Sequence, residues 1–378
     1  MPAVVHLKDP RYQRLQAYRR WMRQQRLNLS LITHLPNIRY LTNFSGSAAY
    51  LVVQPRRAFF VTDFRYREQA QQEVYPWFEV RVPREVLREV FRLLRSGGAH
   101  RRIGVEADHI TLRFYQQIQA QVIRRSSREL VPHEDHLLRL RAVKDEDEIA
   151  RIRKAQEITD RIFEDLLNLV EPERMTELDL AAEMEYRMKK YGASGPSFPT
   201  IVASGTHTAL PHAQPRNVKI AHNAPLLVDF GCVYQGYASD MTRTVWIGSQ
   251  VDPEFEKIYH IVNDARARAI EAAHVGMNTA DLDEVARAYI RSKGYGEAFG
   301  HSLGHGVGLE IHEAPWLAPR RGKRPEQFIS RLQAGNVVTI EPGIYLPHLG
   351  GVRIEDLVVI REDHVEVLTR SPRELLRL

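Results

Sequence analysis

Cysteine is nearly missing from this chain of 378 residues. Cys232 stands alone, so no internal disulfide can form and a disulfide-stapled secreted scaffold is excluded. Long hydrophobic runs are missing too, and no apolar stretch would span a bilayer. The opening residues, Met1-Pro2-Ala3-Val4-Val5-His6, lack the charged-then-apolar order of a secretory signal. These absences lead us to expect a cytoplasmic protein with no membrane partner. Charge of one sign is not concentrated either. The net charge is +6, but 47 acids are scattered among 53 lysines and arginines. Basic pairs such as Arg124-Arg125 and Arg320-Arg321 stay short, and no segment interleaves aromatic with basic residues. Nucleic acid is therefore not expected as a partner. Hydrophobic residues at 43% and charged residues at 26% are the balance of a folded globular chain, which excludes disorder.

The length suggests two domains. Residues 1–136 alternate short apolar runs with helical patterns. Leu29 to Thr33, Tyr50 to Gln54, Ala58 to Thr62 and Phe78 to Val82 read as strands; Tyr12 to Gln25, Pro83 to Arg95 and Leu112 to Arg125 read as helices. This mixture predicts an α/β domain. A polar stretch near residue 136 marks the boundary, and residues 137–378 form the second domain. It opens on a long helix, Lys144 to Val170, with Asp145, Glu146, Asp147 and Glu148 crowding the first turn where the helix dipole favours negative charge. Helices at Glu177 to Tyr191, Pro253 to His274 and Asp281 to Lys293 follow, with Thr176 and Asp252 as caps. Strands are expected at Ala224 to Asp229, Ser239 to Ile247, Asn336 to Glu341, Val352 to Ile360 and His364 to Leu368. The second domain reads as α+β, with helices on a largely antiparallel sheet.

Acidic residues recur in a telling way. A turn at Tyr234-Gln235-Gly236 folds the chain into a hairpin that brings Asp229 and Asp240 close to opposite one another. Cross-strand neighbours lie ~5 Å apart at Cβ, and two carboxylates that close repel unless positive charge lies between them. A second turn, at His348-Leu349-Gly350-Gly351, brings Glu341 near Glu355. Between the hairpins runs Gly300-His301-Ser302-Leu303-Gly304-His305-Gly306-Val307-Gly308-Leu309-Glu310-Ile311-His312-Glu313, too glycine-rich for a stable helix. Four carboxylates balance two divalent ions, and one imidazole completes a sensible di-metal ligand set. That oxygen-rich set suits Mn²⁺ or Co²⁺ and accommodates Zn²⁺ or Fe²⁺. It is a poor Ca²⁺ cage and lacks the thiolates of structural zinc.

The strings VDFGCVYQGYASDMTRT, FGHSLGHGVGLEIHEAP, TIEPGIY and GVRIED resemble the metallopeptidases of the pita-bread fold. That family includes Xaa-Pro aminopeptidases, Xaa-Pro dipeptidases (prolidases) and methionine aminopeptidases. The first half, including Val61-Thr62-Asp63-Phe64-Arg65-Tyr66-Arg67-Glu68-Gln69-Ala70, resembles the creatinase-type N-terminal domain. The resemblance implies a pita-bread (creatinase/aminopeptidase-like) catalytic domain in which Asp229 chelates one metal, His305 and Glu341 hold the other, and Asp240 and Glu355 bridge them. It further implies Glu341 as proton shuttle, His212 and His312 as substrate contacts, and His301 near a proline pocket. Arg353 lies two residues before Glu355, on the same strand face, and is expected either to orient ligands or substrate or to form a purely structural salt bridge. Tyr345 is expected to line the site, while Cys232, His207 and His222 read as ordinary.

The large first domain and His301 favour Xaa-Pro bonds over methionine removal. Proline lacks an amide proton and restricts the residue before it, so such bonds need a dedicated site. The expected substrate is a small peptide with proline second, and the expected activity an Xaa-Pro dipeptidase; the alternative is an aminopeptidase P acting on longer peptides. Several dipeptidases place an arginine four residues after the equivalent of His312 to pair with the proline carboxylate. Here that residue is Trp316, and Arg320 or Arg321 would have to compensate. Two remoter readings remain. Gly300-His301-Ser302-Leu303-Gly304 matches the serine-hydrolase elbow, which needs a strand before it and a helix after it. A non-catalytic binding module would be expected to have lost ligands. Relatives commonly pair, so a homodimer is expected.

Overall fold

A computed structural model describes residues 9–96, 101–124, 127–134, 136–320 and 331–378. They form two compact units, Met1–Arg141 and Ala142–Leu378.

In the first unit, helix α1 (Pro10–Gln24) starts where Asp9 accepts from the Arg11 amide and Pro10 takes the first helical position. The remaining elements are β1 (Leu29–Ile32), α2 (Leu35–Thr42), β2 (Tyr50–Val53), β3 (Ala58–Val61), α3 (Arg67–Glu73), β4 (Glu79–Arg81), α4 (Val86–Arg95), β5 (Arg102–Glu106), α5 (Leu112–Ile118), β6 (Glu129–His133) and α6 (His136–Ala142). The strands make one mixed sheet in the order β4-β3-β2-β1-β5-β6, parallel at β3/β4, β1/β5 and β5/β6. This is the expected α/β layer, with differences of detail. The helix expected from Pro83 begins only at Val86. The one expected over Leu112 to Arg125 is α-helical only to Ile118 and continues as a π-turn over Gln119–Ile123; Arg125 lies outside the described residues. Strands β5 and β6 and helices α2, α3 and α6 were not expected.

The second unit begins with α7 (Glu146–Leu167). Asp145 and Glu148 close a capping box at its start, and Ile149, Ile152, Ala155, Ile158, Ile162 and Leu166 form its buried stripe. Helix α8 (Glu177–Lys190) has the expected Thr176 cap and ends before Gly192 at φ 94°. Strands β7 (Gly195–Pro196), β8 (Ile201–Ser204), β9 (Ala224–Phe230), β10 (Cys232–Tyr234), β11 (Tyr237–Ala238) and β12 (Met241–Ile247) follow. Then come α9 (Pro253–Ala272, capped by Asp252) and α10 (Thr279–Ser292, capped by Asn278). The last strands are β13 (Gly304–Gly306), β14 (Glu313–Leu317), β15 (Val337–Ile340), β16 (Gly343–Leu346), β17 (Gly350–Arg353), β18 (Asp356–Ile360) and β19 (Val365–Val367). Every strand pairing described in this unit is antiparallel. Helices α7 and α8 pack on β8, β9 and β12, and α9 and α10 pack on β15, β17 and β18. The unit is thus α+β, built as two helix-covered halves.

Both hairpin ladders are interrupted, and the strand expected over Val352 to Ile360 is split in two. The ladder of β9 and β12 stops at Phe230 and Met241 and resumes as β10 and β11 at Val233 and Ala238. The ladder of β15 and β18 stops at Ile340 and Asp356 and resumes as β16 and β17 at Gly343 and Arg353. Pro342 has no amide proton to donate there. Asp240, Glu341 and Glu355 all fall in these gaps.

Candidate metal centre

Gln235 (φ 47°) and Gly236 (φ 84°) form a two-residue turn of the left-handed type that matches strand twist. That turn pairs Tyr234 with Tyr237, and the same register sets Asp229 opposite Thr242. Asp240 therefore lies across from Gly231, and the two aspartates, expected close to opposite one another, are diagonal neighbours on one face. Gly231 is needed there: a Cβ would stand 1.9 Å from the Ser239 carbonyl oxygen. In the second hairpin Ile340 pairs with Asp356 and Gly343 with Arg353, so the intervening Glu341 and Glu355 do face each other across the gap. The halves join where the Glu355 amide donates to the Thr242 carbonyl (3.1 Å) and the Thr242 hydroxyl to Glu355 Oε2 (2.7 Å).

His305 enters from the short strand β13. Its neighbours are glycines because a Cβ at Gly304 would lie 2.0 Å from the Thr339 carbonyl, and one at Gly306 2.2 Å from that of Ala314. The His305 Nδ1–H donates to the Gly306 carbonyl (3.1 Å), which leaves Nε2 as a lone pair. That lone pair stands 3.5 Å from Asp240 Oδ2 and 3.4 Å from Glu341 Oε1. Burial, with His312 beside it, pushes His305 down to about 3, so these approaches are not ion pairs. With the carboxylates ionised they are acceptors facing acceptors, which need a proton or a cation between them. One ligand atom each from Asp240, His305 and Glu355 lies within 4.8 Å of the others.

The electrostatics point the same way. Burial, then the charge of Glu355, pushes Asp240 well above the usual carboxylate range. Burial and Glu341 do the same to Glu355, and burial takes Glu341 to about 8. Arg353 Nη2 donates to Asp229 Oδ2 (2.6 Å), and among the described residues no donor reaches the buried Asp229 Oδ1. An unpartnered carboxylate oxygen, three carboxylates driven to hold protons and a bare imidazole lone pair converge on one cavity of about 500 Å³. These donors fit divalent cations.

Among the described residues lining the cavity, Arg353 is the one arginine or lysine. It is buried, and besides Asp229 it donates to Thr242 Oγ1 (3.0 Å), the Pro211 carbonyl (3.2 Å) and the Tyr345 hydroxyl (2.7 Å). The Tyr345 hydroxyl in turn donates to His301 Nε2 (2.9 Å), whose Nδ1–H donates to the Ser302 carbonyl (2.8 Å). Burial pushes His301 down to about 3 and Tyr345 up to about 12. His212 and His312 are exposed at the mouth, and the His312 ring meets that of His305 edge-on at 4.4 Å. Trp316 lines the same wall, 6.4 Å from the His312 ring.

The sequence reading missed the hydroxyls of Thr242 and Thr339, which donate to Glu355 and Glu341. Both stand two residues from a site carboxylate, so strand alternation could have found them. Ser302 is no hydrolase nucleophile: a 3₁₀ turn (Gly296–Ala298) precedes its loop and strand β13 follows it. Cys232 is buried beside the Ala155 carbonyl and outside the cavity, and burial pushes its thiol up. Arg320 is exposed and pairs with Asp281, and Arg321 lies outside the described residues.

Fold and site together define a two-unit metallopeptidase, and comparison with known proteins makes the class specific. Residues 150–362 match the pattern of metallopeptidase family M24, and residues 14–143 match the creatinase/prolidase N-terminal domain. The chain is 37% identical to the Xaa-Pro dipeptidase of Pyrococcus furiosus, over 96% of this chain and 99% of that protein. The solved structure of an Xaa-Pro dipeptidase from Bacillus anthracis superposes with a TM-score of 0.90 at 36% identity, covering 97% of this chain and 100% of that one. An X-Pro aminopeptidase from Thermotoga maritima superposes with a TM-score of 0.82 at 36% identity, covering 93% and 98%. The chain belongs to metallopeptidase family M24. Among the described residues no helix is long and apolar enough to cross a membrane.

Proposed function

We propose that this chain hydrolyses Xaa-Pro dipeptides with two divalent cations held by Asp229, Asp240, His305, Glu341 and Glu355. The observation that carries this reading is the convergence of Asp240, His305 and Glu355 ligand atoms within 4.8 Å. In it, Asp229 would serve one cation, His305 and Glu341 would serve the other, and Asp240 and Glu355 would be available to both. Such ions, when bound, lower the pKa of water and polarise a scissile carbonyl. Glu341 moves the proton from water towards the leaving nitrogen. His212 and His312, at the mouth, orient the substrate by hydrogen bonds to its carbonyl groups. The Arg353–Tyr345–His301 chain holds the inner wall in one protonation pattern, and Phe198, Ile201 and Trp316 offer apolar surface to a proline ring.

Mn²⁺ or Co²⁺, a cytoplasmic homodimer and the absence of a nucleic-acid partner belong to the same reading. Metal analysis of protein purified without added ions, and sedimentation at assay concentration, test the first two; zinc alone, or a fully active monomer, would contradict them.

A second reading, aminopeptidase P, is favoured by Trp316, which offers no charge to a free proline carboxylate, while four of the five side-chain N–H donors of Arg353 already bond within the protein. The deciding experiment strips metal with a chelator, restores Mn²⁺, and compares proline release from Ala-Pro with alanine release from Ala-Pro-Ala. Metal-dependent cleavage of Ala-Pro supports the dipeptidase. Cleavage of the tripeptide alone replaces it with the aminopeptidase, and activity indifferent to chelation sinks both.

A further inference from the structure

The loop that carries His212 to the cavity has both ends tied to one side chain. Glu177, the first residue of α8, is completely buried. Its Oε1 accepts from the Ser204 amide (2.9 Å), Arg216 Nη2 (2.9 Å) and His207 Nδ1 (3.1 Å). Its Oε2 accepts from the Arg216 amide (2.9 Å) and Arg216 Nε (3.0 Å). Ser204 ends β8 just before the loop, and Arg216 follows its last residue. The backbone of α8 adds to the tie, because the Glu177 amide donates to the Val218 carbonyl (3.0 Å) and that of Leu178 to Arg216 (3.2 Å).

Helix capping does not need this carboxylate, since Thr176 and Asp179 already close the box. A carboxylate saturated by donors in a buried site is a rigid post, whereas an exposed ion pair is not. Between the tied ends, the loop meets the cavity wall at two further points. The Thr208 hydroxyl receives the Gly351 amide (2.7 Å), and the Pro211 carbonyl receives Arg353. Ala213, next to His212, is buried against Ile201, Ala203 and Leu227. His212 itself stays exposed, so its placement rests on its loop rather than on packing of its ring.

We propose that Glu177 is a positioning residue: by clamping Ser204 and Arg216 it fixes where His212 stands over the carboxylate cluster. This rests on the reading of His212 as a substrate contact. None of the metal-site carboxylates bonds to Glu177, so loss of the clamp is expected to misplace His212 and leave cation binding intact.

The test is a kinetic double-mutant cycle on the Mn²⁺-loaded protein with Ala-Pro, alongside calorimetric Mn²⁺ binding. Glu177→Gln keeps the side-chain shape but turns an NH₂ towards the Ser204 and Arg216 donors. A displacement on the order of 1 Å should lower kcat by ~10- to 100-fold, with Mn²⁺ stoichiometry and affinity unchanged. In a His212→Ala background the same substitution should cost less than about twofold, because the group it positions is gone. Equal fold losses in both backgrounds, an unchanged kcat in the single variant, or weakened Mn²⁺ binding in step with activity would overturn the proposal. If His212→Ala alone behaves as wild type, the underlying reading of His212 fails, a result distinct from additivity. Should Glu177→Gln not fold, Arg216→Met removes two side-chain donors at a position 45% exposed, and the same non-additivity with His212→Ala is required.

Discussion

Removing the metal should turn the carboxylate cluster into a proton store. Burial holds Glu341 at about 8, against 4.5 for an ordinary glutamate, with the nearby Asp229 charge acting in the same direction. At pH 7 a group with that pKa is roughly nine-tenths protonated. Asp240 and Glu355 are pushed upward by the same burial and by neighbouring charges. Ligating carboxylates must give up their protons, so cation binding releases them. Saturating Mn²⁺ added to stripped protein at pH 7 should therefore release about one proton from Glu341, and more from Asp240 and Glu355. Calorimetry in buffers of different ionisation enthalpy measures the number. Glu341→Gln at saturating Mn²⁺ should release about one proton fewer, which separates this side chain from protons lost by bound water.

Stability carries the same signature. The raised pKa means that native metal-free protein binds a proton that the unfolded chain has lost. The Glu341 contribution is therefore fully present below about 4.5 and disappears as pH rises towards 8, at about 1.4 kcal/mol per pH unit per proton. Metal-free protein should thus become less stable to urea across that window, while cation binding tightens. No proton release at pH 7, or identical release from Glu341→Gln, would refute the argument that buried, mutually repelling carboxylates form this site.

Two other perturbations test its frame and its specificity. Asp356 is completely buried and receives Arg243 (2.8 Å), Arg266 (2.5 Å) and Arg373 (2.7 Å); burial alone would raise its pKa, but the three guanidiniums hold it below the usual range. Asp356→Asn leaves buried guanidiniums uncompensated and should cost about 3–5 kcal/mol in urea unfolding, so a loss below about 1 kcal/mol would contradict the assigned network. Trp316→Arg places a guanidinium on the wall that a proline carboxylate would meet. It should lower KM for Ala-Pro by about tenfold relative to Ala-Pro-Ala, and an unchanged ratio would remove that wall from substrate recognition.

What was legible in the sequence follows from what local patterns encode. Caps at Thr176 and Asp252 and the stripe of α7 were visible because neighbours within four residues determine them. The two carboxylate hairpins were visible because turn residues and alternation fix a face. Their register was only half visible: nothing local told that the turn at Gln235-Gly236 would set Asp229 opposite Thr242. Strands β5 and β6 were hidden because charged Arg102, Glu106 and Glu129 stand at their ends, and helix α3 because it buries only Ala70. Glu177 looked like an ordinary first-turn acid, since its partners stand up to 39 residues away.

The division of labour between ladder and loop has a physical reason. Carboxylates that repel one another must be held by structure that cannot relax, and Asp229, Asp240, Glu341 and Glu355 all stand on or between paired strands. Histidines that meet a substrate need an open approach, and His212, His301 and His312, the three proposed for the substrate side of the site, stand on loops. A loop is a poor support for a group that must be placed within a fraction of an ångström. Each of these loops is accordingly tied to a buried acid. Glu177 holds both ends of the His212 loop. Asp283 receives the Leu303 amide, and its partner Arg287 donates to the Phe299 and His301 carbonyls. Glu313, next to His312, is buried 2.9 Å from the Lys144 ammonium. Acids outside the carboxylate cluster, each paired with an arginine or lysine, thereby give loop-borne histidines the rigidity that the ladder gives the carboxylates. Two groups of acids therefore build this site, those that surround the cavity with negative charge and those that hold its histidines in place.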